Sequence, residues 1–143
     1  MTRALVVAWL MAVLVPAAAQ TLRFDCGGPV KTESVFDSDS ATTAQRQWSV
    51  VANYEAGYVK RDPELAAGCV ERTVEVCGCE MGPRTIHCRS LGITPQGVEI
   101  GMDFSIDRTA QRMKLSGRRF DPQSGNVTET TGLLECRESP VQR

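Results

Sequence analysis

Three cysteines and the only histidine of the chain fall within residues 74–88, VEVCGCEMGPRTIHC. Cys77, Cys79 and Cys88 offer sulfur, a soft ligand that suits zinc and copper(I). The same cysteines could exchange thiols and disulfides, because Cys77 and Cys79 are close enough in sequence to close a small, easily reduced ring. In an oxidising compartment, cysteines usually form structural disulfides instead. The segment therefore raises three alternatives: a metal site, a redox centre, or a corner held together by disulfides.

The spacing of these residues favours the disulfides. His87 and Cys88 are adjacent, so on a strand their side chains point to opposite faces and cannot bind one metal ion. The same adjacency separates them as a base and a nucleophile. The sequence also lacks the Cys-x-x-Cys knuckles of common zinc sites and the βαβ pattern of thioredoxin-like enzymes. We therefore rank disulfides first, a zinc or copper site at Cys77, Cys79 and Cys88 second, and redox chemistry third. We expect a protein without catalytic activity.

The N-terminus has the layout of a secretory signal peptide. Arg3 precedes an apolar run over residues 4–15, and small residues follow up to Ala19. The run is about twelve residues long, whereas a membrane-spanning helix needs about twenty. We expect cleavage after Ala19, no membrane anchor on the mature chain, and a periplasmic or secreted protein.

All six cysteines lie after the predicted cleavage site, which suits an exported protein with three disulfides. Cys26 and Cys136 fall on the apolar sides of the predicted first and last strands. We predict a bridge between them, which would close a loop of about 110 residues. The remaining cysteines would then pair among themselves; these are Cys69, Cys77, Cys79 and Cys88.

The charge pattern argues against nucleic acid as a partner. The chain carries 16 basic and 17 acidic side chains, and the two signs are interspersed. Three carboxylates, Glu99, Asp103 and Asp107, share one strand face, as a glycosidase pair would. We expect them to be neutralised across the hairpin instead. The predicted basic partners are Arg112, Lys114 and Arg118.

The clearest secondary-structure signal is a hairpin followed by a third strand. Apolar residues occupy every second position of residues 98–106, as on a half-buried strand. A four-residue turn over 108–111 would place Asp107 opposite Arg112 and Phe104 opposite Leu115. A second turn over 121–126 leads to a strand over 127–136, with Phe120 opposite Val127. The C-terminal part is therefore predicted to be an antiparallel meander.

The other segments are less regular. Leu22, Phe24 and Cys26 alternate with polar residues, so we expect an N-terminal strand that joins the sheet. Residues 27–40 are rich in Gly, Ser and Asp and are predicted to form a loop. Residues 40–58 fit a helix and a strand equally well. Residues 70–77 and 84–90 are predicted to form a pair of strands.

These observations predict a signal peptide over residues 1–19 and a single domain over 20–143. The domain is mainly β: a small antiparallel sandwich or barrel with a C-terminal meander and at most one short helix, stapled by disulfides. We expect a binding or structural module of the cell envelope, whose partner is a protein or an envelope component, with no cofactor. The alternative is a periplasmic metal-handling or thiol-redox protein that uses the Cys-Gly-Cys corner.

Overall fold

A computed structural model of the chain describes residues 20–62 and 76–141. The predicted signal peptide, Cys69 and residues 70–75 of a predicted strand lie outside these ranges. Within them, the backbone forms one antiparallel sheet of eight strands, curled into a nearly closed barrel. The strands are β1 (Thr21–Ser34), β2 (Asp37–Asn53), β3 (Tyr58–Asp62), β4 (Val76–Met81), β5 (Thr85–Ile93), β6 (Glu99–Asp107), β7 (Arg112–Asp121) and β8 (Asn126–Pro140).

The strand order across the sheet is β3-β2-β1-β8-β7-β6-β5-β4. Two meanders are therefore joined where the first strand pairs with the last, and β3 and β4 are the two edges. The predicted mainly β, antiparallel fold is confirmed, and no helix occurs among the described residues. Accordingly, that part of the chain contains no helix that could cross a membrane.

The C-terminal meander has the predicted register. Asp107 lies opposite Arg112 and Phe104 lies opposite Leu115. On the next strand, Phe120 lies opposite Val127. The second turn needs one residue with positive φ, which Gly125 supplies at +70°. Because strand side chains alternate between faces, a slip of one residue would expose the whole apolar set, and this fixes the register.

The predicted loop over residues 27–40 is wrong. β1 continues to Ser34, the chain turns at Val35 and Phe36, and β2 begins at Asp37. Gly28 lies inside β1 at a close approach to β8: a Cβ atom there would be 3.1 Å from the carbonyl oxygen of Leu133. Its role is therefore in strand packing and not in a turn.

Residues 40–58, which fit a helix and a strand equally well in the sequence, form a strand up to Asn53. Its apolar residues Val50 and Ala52 face the core, where they are 1% and 0% exposed. A turn over residues 54–57 then leads into β3.

The core fills the inside of the curled sheet. It is built from alternate residues of β1, β2, β5, β6, β7 and β8, together with the sulfurs of Cys26 and Cys136. The largest side chains that are less than 2% exposed are Phe24, Val50, Ile86, Ile106, Met113 and Leu134.

Candidate functional site

The cysteine corner contains a disulfide. Cys79 on β4 lies directly opposite Cys88 on β5, and a bond joins their sulfurs. A second disulfide joins Cys26 and Cys136, as predicted. None of the described cysteines is free. A metal or thiol-redox site at Cys77, Cys79 and Cys88 would therefore require reduction of the Cys79–Cys88 bond first.

His87 lies on the opposite face of β5 from Cys88, as their adjacency predicts. Its Nε2 atom is 2.9 Å from Oδ1 of Asp103 on β6, while Arg89 Nε donates to Oδ2 of the same carboxylate over 3.1 Å. Asp103 lies opposite Ser116, and so diagonally between Lys114 and Arg118 as predicted. The hydrogen bonds of its carboxylate, however, go to His87 and Arg89 on β5, which lies on the other side of β6.

The other members of the predicted ladder have different roles. Oδ1 of Asp107 accepts hydrogen bonds from the backbone N–H groups of Thr109 and Ala110, so this carboxylate stabilises the β6–β7 turn. Glu99 lies at the start of β6, opposite Phe120. The three carboxylates therefore do not form one site.

The electrostatics of the His87 cluster are those of an ion pair. Partial burial raises the pKa of Asp103, but the hydrogen bonds and positive charges of His87 and Arg89 outweigh it, so the pKa lies below the usual 3.8. A carboxylate with a depressed pKa stays ionised and is poorly matched to proton transfer near neutral pH. The cluster suits recognition or stability better than acid–base catalysis.

A groove of about 450 Å³ crosses β5 to β8 at the level of Ser90, Met102, Gly117 and Thr130. Its volume is in the range of small-molecule sites. The lining also contains two positive and two negative side chains, so charge does not define the class of a ligand. These four are Arg89, Arg118, Asp103 and Glu129.

The first part of β2, residues 37–47, is more exposed than the rest of the strand, and we refer to it as the open edge. All eleven of its residues are exposed, including those on the face that turns inward further along the strand. On one side, β1 pairs with residues 42–47 and with Asp37, and the register shifts between these two stretches. On the other side, β3 pairs only with Ser49–Asn53, and no other described residue pairs with the open edge.

The Cys26–Cys136 bridge shows in which direction the backbone N–H and C=O groups of β2 point. The Cα atoms of this pair are 4.0 Å apart, which is typical of a narrow, non-hydrogen-bonded antiparallel pair. Cys26 therefore directs its N–H and C=O groups towards β2, where Trp48 lies opposite. By alternation, the even-numbered residues of the regularly paired stretch, residues 42–48, bond to β1. Thr43, Gln45 and Gln47 therefore point outward, whereas the pairing is irregular over residues 38–41, where the Asp39 N–H group donates to Oδ1 of Asp37.

The open edge has one feature that protects such strands, the irregular pairing with β1 opposite residues 38–41, but it lacks others. It contains neither proline nor lysine, and residues 40–45, SATTAQ, carry no charge. Its three charges are at the ends, at Asp37, Asp39 and Arg46. The sequence did not reveal this edge, because the position of a strand in a sheet depends on its tertiary neighbours. Comparison of the chain with family models, curated proteins and solved structures finds no match.

Proposed function

We propose that this protein is an exported binding module that adds an extended segment of a protein partner to its sheet at the open edge. The supporting observation is a row of three outward-directed backbone positions on an exposed strand, Thr43, Gln45 and Gln47, which offer hydrogen bonds to an incoming strand. Strand addition of this kind derives its affinity from the main chain, while alternate side chains provide specificity.

The side chains of the open edge support a partner of relaxed sequence. Its central residues, Ala41, Thr42, Thr43 and Ala44, are small. They leave room beside the added strand, and threonine favours the extended conformation. Recognition would then depend on an extended backbone more than on particular partner side chains.

Export is the second part of the proposal. The disulfides Cys26–Cys136 and Cys79–Cys88 are consistent with an oxidising compartment. Together with the predicted signal peptide over residues 1–19, they support a periplasmic or secreted protein whose partner is a protein of the same compartment.

A displayed library of random twelve-residue peptides tests the binding function. Selection would use the oxidised protein, immobilised at low density, with two variants as a matched pair. Thr43→Pro removes one outward N–H group while leaving the β1–β2 hydrogen bonds in place, because proline lacks the donor. Thr43→Ala removes the same side chain and keeps the donor.

We expect the enriched peptides to bind the wild-type protein and Thr43→Ala, and to lose at least tenfold in affinity for Thr43→Pro. Circular dichroism and thiol titration would establish that both variants are folded and oxidised. The proposal is contradicted if no peptide is enriched, or if the enriched peptides bind Thr43→Pro as well as Thr43→Ala.

A further inference from the structure

The Cys79–Cys88 disulfide lies in a different environment from the Cys26–Cys136 disulfide. Cys26 and Cys136 are 3% and 9% exposed, on strands that are paired on both sides. Cys79 is exposed, on the edge strand β4, while its partner Cys88 is 6% exposed. Because thiol–disulfide exchange begins when a thiolate attacks a disulfide sulfur, access decides which bond reacts. We infer that Cys79–Cys88 is a site of reversible exchange with a dithiol, and that its opening releases one half of β4 while the rest of the sheet stays folded.

The exchange takes place in two steps. One thiolate of the dithiol attacks Sγ of Cys79, the exposed partner, forms a mixed disulfide with it and displaces Cys88 as a thiolate, which takes up a proton. The second thiol of the dithiol then attacks its own sulfur in the mixed disulfide and releases Cys79. The dithiol loses two electrons and becomes a disulfide, and the protein gains two thiols. The oxidised form of the same dithiol reverses both steps.

The strand that carries Cys79 has few other attachments. Gly78, Cys79 and Glu80 are exposed, and a Cβ atom at Gly78 would meet nothing within 4 Å. Of the β4 side chains that the structure describes, only Met81 packs against the core. β4 pairs with β5 on one side, and none of the described strands pairs with its other side. The disulfide is therefore a large part of what holds β4 to the sheet.

The disulfide divides the β4–β5 ladder into two halves that are held differently. On the side of the turn over residues 82–84, Met81 packs against the core and the Tyr54 hydroxyl donates to the carbonyl oxygen of Gly82 over 3.0 Å. On the other side, residues 76–78 pair with residues 89–91 of β5 and with no other described strand. Reduction should therefore free residues 76–78 and leave the turn in place.

The barrel does not depend on this bond. The β1–β8 ladder and the Cys26–Cys136 bridge join the two meanders whether or not Cys79–Cys88 is closed. The loop that Cys79–Cys88 closes is also short, with a sequence separation of 9 residues, so its opening restores little freedom to the unfolded chain. The thiol-redox state of the compartment thus changes the β4 edge alone. The site is separate from the open edge, and the inference stands independently of strand addition.

Reduction of the native protein followed by thiol mapping tests the selectivity. The oxidised protein would be treated with dithiothreitol or with reduced thioredoxin, quenched in acid, alkylated and mapped by mass spectrometry. We expect Cys79–Cys88 to open at least about tenfold faster than Cys26–Cys136, because access limits the exchange. In urea the two rates should become similar, since both bridges are then accessible. Selective opening by dithiothreitol alone would assign the site to small dithiols, and opening by both reagents would assign it to protein dithiols as well.

Amide hydrogen exchange tests the release of β4. The Cα atoms of the bridge are 4.1 Å apart, which is typical of a narrow, non-hydrogen-bonded pair, so the pairs on either side of it exchange backbone hydrogen bonds. These pairs are Gly78 with Arg89, and Glu80 with His87. In protein reduced only at this bridge, we expect the Gly78 and Arg89 amides to exchange faster, while Glu80 and His87, on the side of the turn, keep their protection.

The double variant Cys79→Ala/Cys88→Ala is the matched control, since it removes the bond without a reductant and should reproduce the exchange pattern of the selectively reduced protein. Equal rates of opening in the native protein, or faster opening of Cys26–Cys136, overturn the exchange site. Unchanged exchange at Gly78 after selective reduction overturns the release of β4. Acceleration over the whole sheet also overturns it, because the bond would then stabilise the entire barrel.

Discussion

Cys26 on β1 lies directly opposite Cys136 on β8, and a disulfide joins the two residues within the long β1–β8 ladder. The bridge adds a covalent link between two meanders that are also held together by the hydrogen bonds of this ladder and by the chain between β3 and β4. The sequence separation of the two cysteines is 110 residues, against 9 for Cys79 and Cys88. The two disulfides should therefore contribute unequally to stability.

Removal of the long-range bridge is the more damaging change. In the chain-entropy description, a disulfide stabilises the folded state by restricting the unfolded chain, and the effect grows with the length of the loop that it closes. The expected stabilisation is about 4–5 kcal/mol for the Cys26–Cys136 bridge and about 2–3 kcal/mol for the Cys79–Cys88 bridge. We expect the double variant Cys26→Ala/Cys136→Ala to lose about 2 kcal/mol more than Cys79→Ala/Cys88→Ala. Urea unfolding followed by circular dichroism measures both, and equal losses would contradict the entropic account.

The different burial of two phenylalanines predicts which of them contributes more to the stability of the core. Phe24 is 1% exposed, whereas Phe104 is only partly buried against the core. Phe24→Ala should cost about 3–5 kcal/mol, the usual range for a fully buried aromatic residue. Phe104→Ala should cost less, because part of its ring is already in water. If Phe104→Ala is the more destabilising variant in equilibrium unfolding, the β6 face carries more of the core than the structure indicates.

The sequence was most informative where two signals agreed. In the β6–β7 hairpin, apolar alternation and the turn length both require Phe104 to lie opposite Leu115, so the register could be predicted. The Cys26–Cys136 bridge followed from the same logic, because both cysteines occupy apolar positions of terminal strands.

Where the sequence failed, the missing information was tertiary. The Gly and Ser content of residues 27–40 is typical of a loop, yet Gly28 serves a close contact with β8 that no local pattern reveals. Asp103 was assigned to β7 partners because only the hairpin was considered. The residues that neutralise it, His87 and Arg89, come from the strand on its other side. The open edge likewise depends on which strands have a neighbour.

The His87 cluster predicts a pH dependence. Because the pKa of Asp103 is lowered on folding, its ion pair contributes stability that is complete above the unfolded pKa, near 3.8, and is lost as the pH falls through the folded value. The contribution should be below about 1 kcal/mol, since the side chains are well hydrated and solvent screens the pair. Carboxyl NMR titration should place the pKa of Asp103 below 3.8.

Two variants, Arg89→Gln and Asp103→Asn, test this pH dependence. Arg89→Gln should raise the pKa of Asp103 towards its usual value. Asp103→Asn should reduce the fall in unfolding free energy between pH 5 and pH 2, because it removes the titrating group. An unchanged Asp103 pKa in Arg89→Gln would show that the 3.1 Å contact does not persist in solution.

The last prediction concerns the gap between the two edges of the sheet. The Tyr54 hydroxyl, in the turn after β2, donates to the carbonyl oxygen of Gly82 in the turn after β4 over 3.0 Å. Arg108 packs over the Tyr54 ring, 5.6 Å from its centroid, and donates through Nη1 to the carbonyl oxygen of Pro83. Its Nε atom donates to Glu138 on β8, which raises the pKa of Arg108 and keeps it charged. Side chains thus hold one end of the gap, across which the described strands form no backbone ladder.

Tyr54→Phe should open that end locally. The substitution removes one hydrogen bond, worth about 0.5–1.5 kcal/mol, and keeps the ring beneath Arg108. Amide exchange should therefore accelerate in β3 and β4, while the β6–β7 hairpin keeps its protection. Tyr58→Phe is the control, since that ring is 40% exposed on β3. Uniform acceleration over the whole sheet, or equal effects of the two variants, would show that Tyr54 does not hold the edges together.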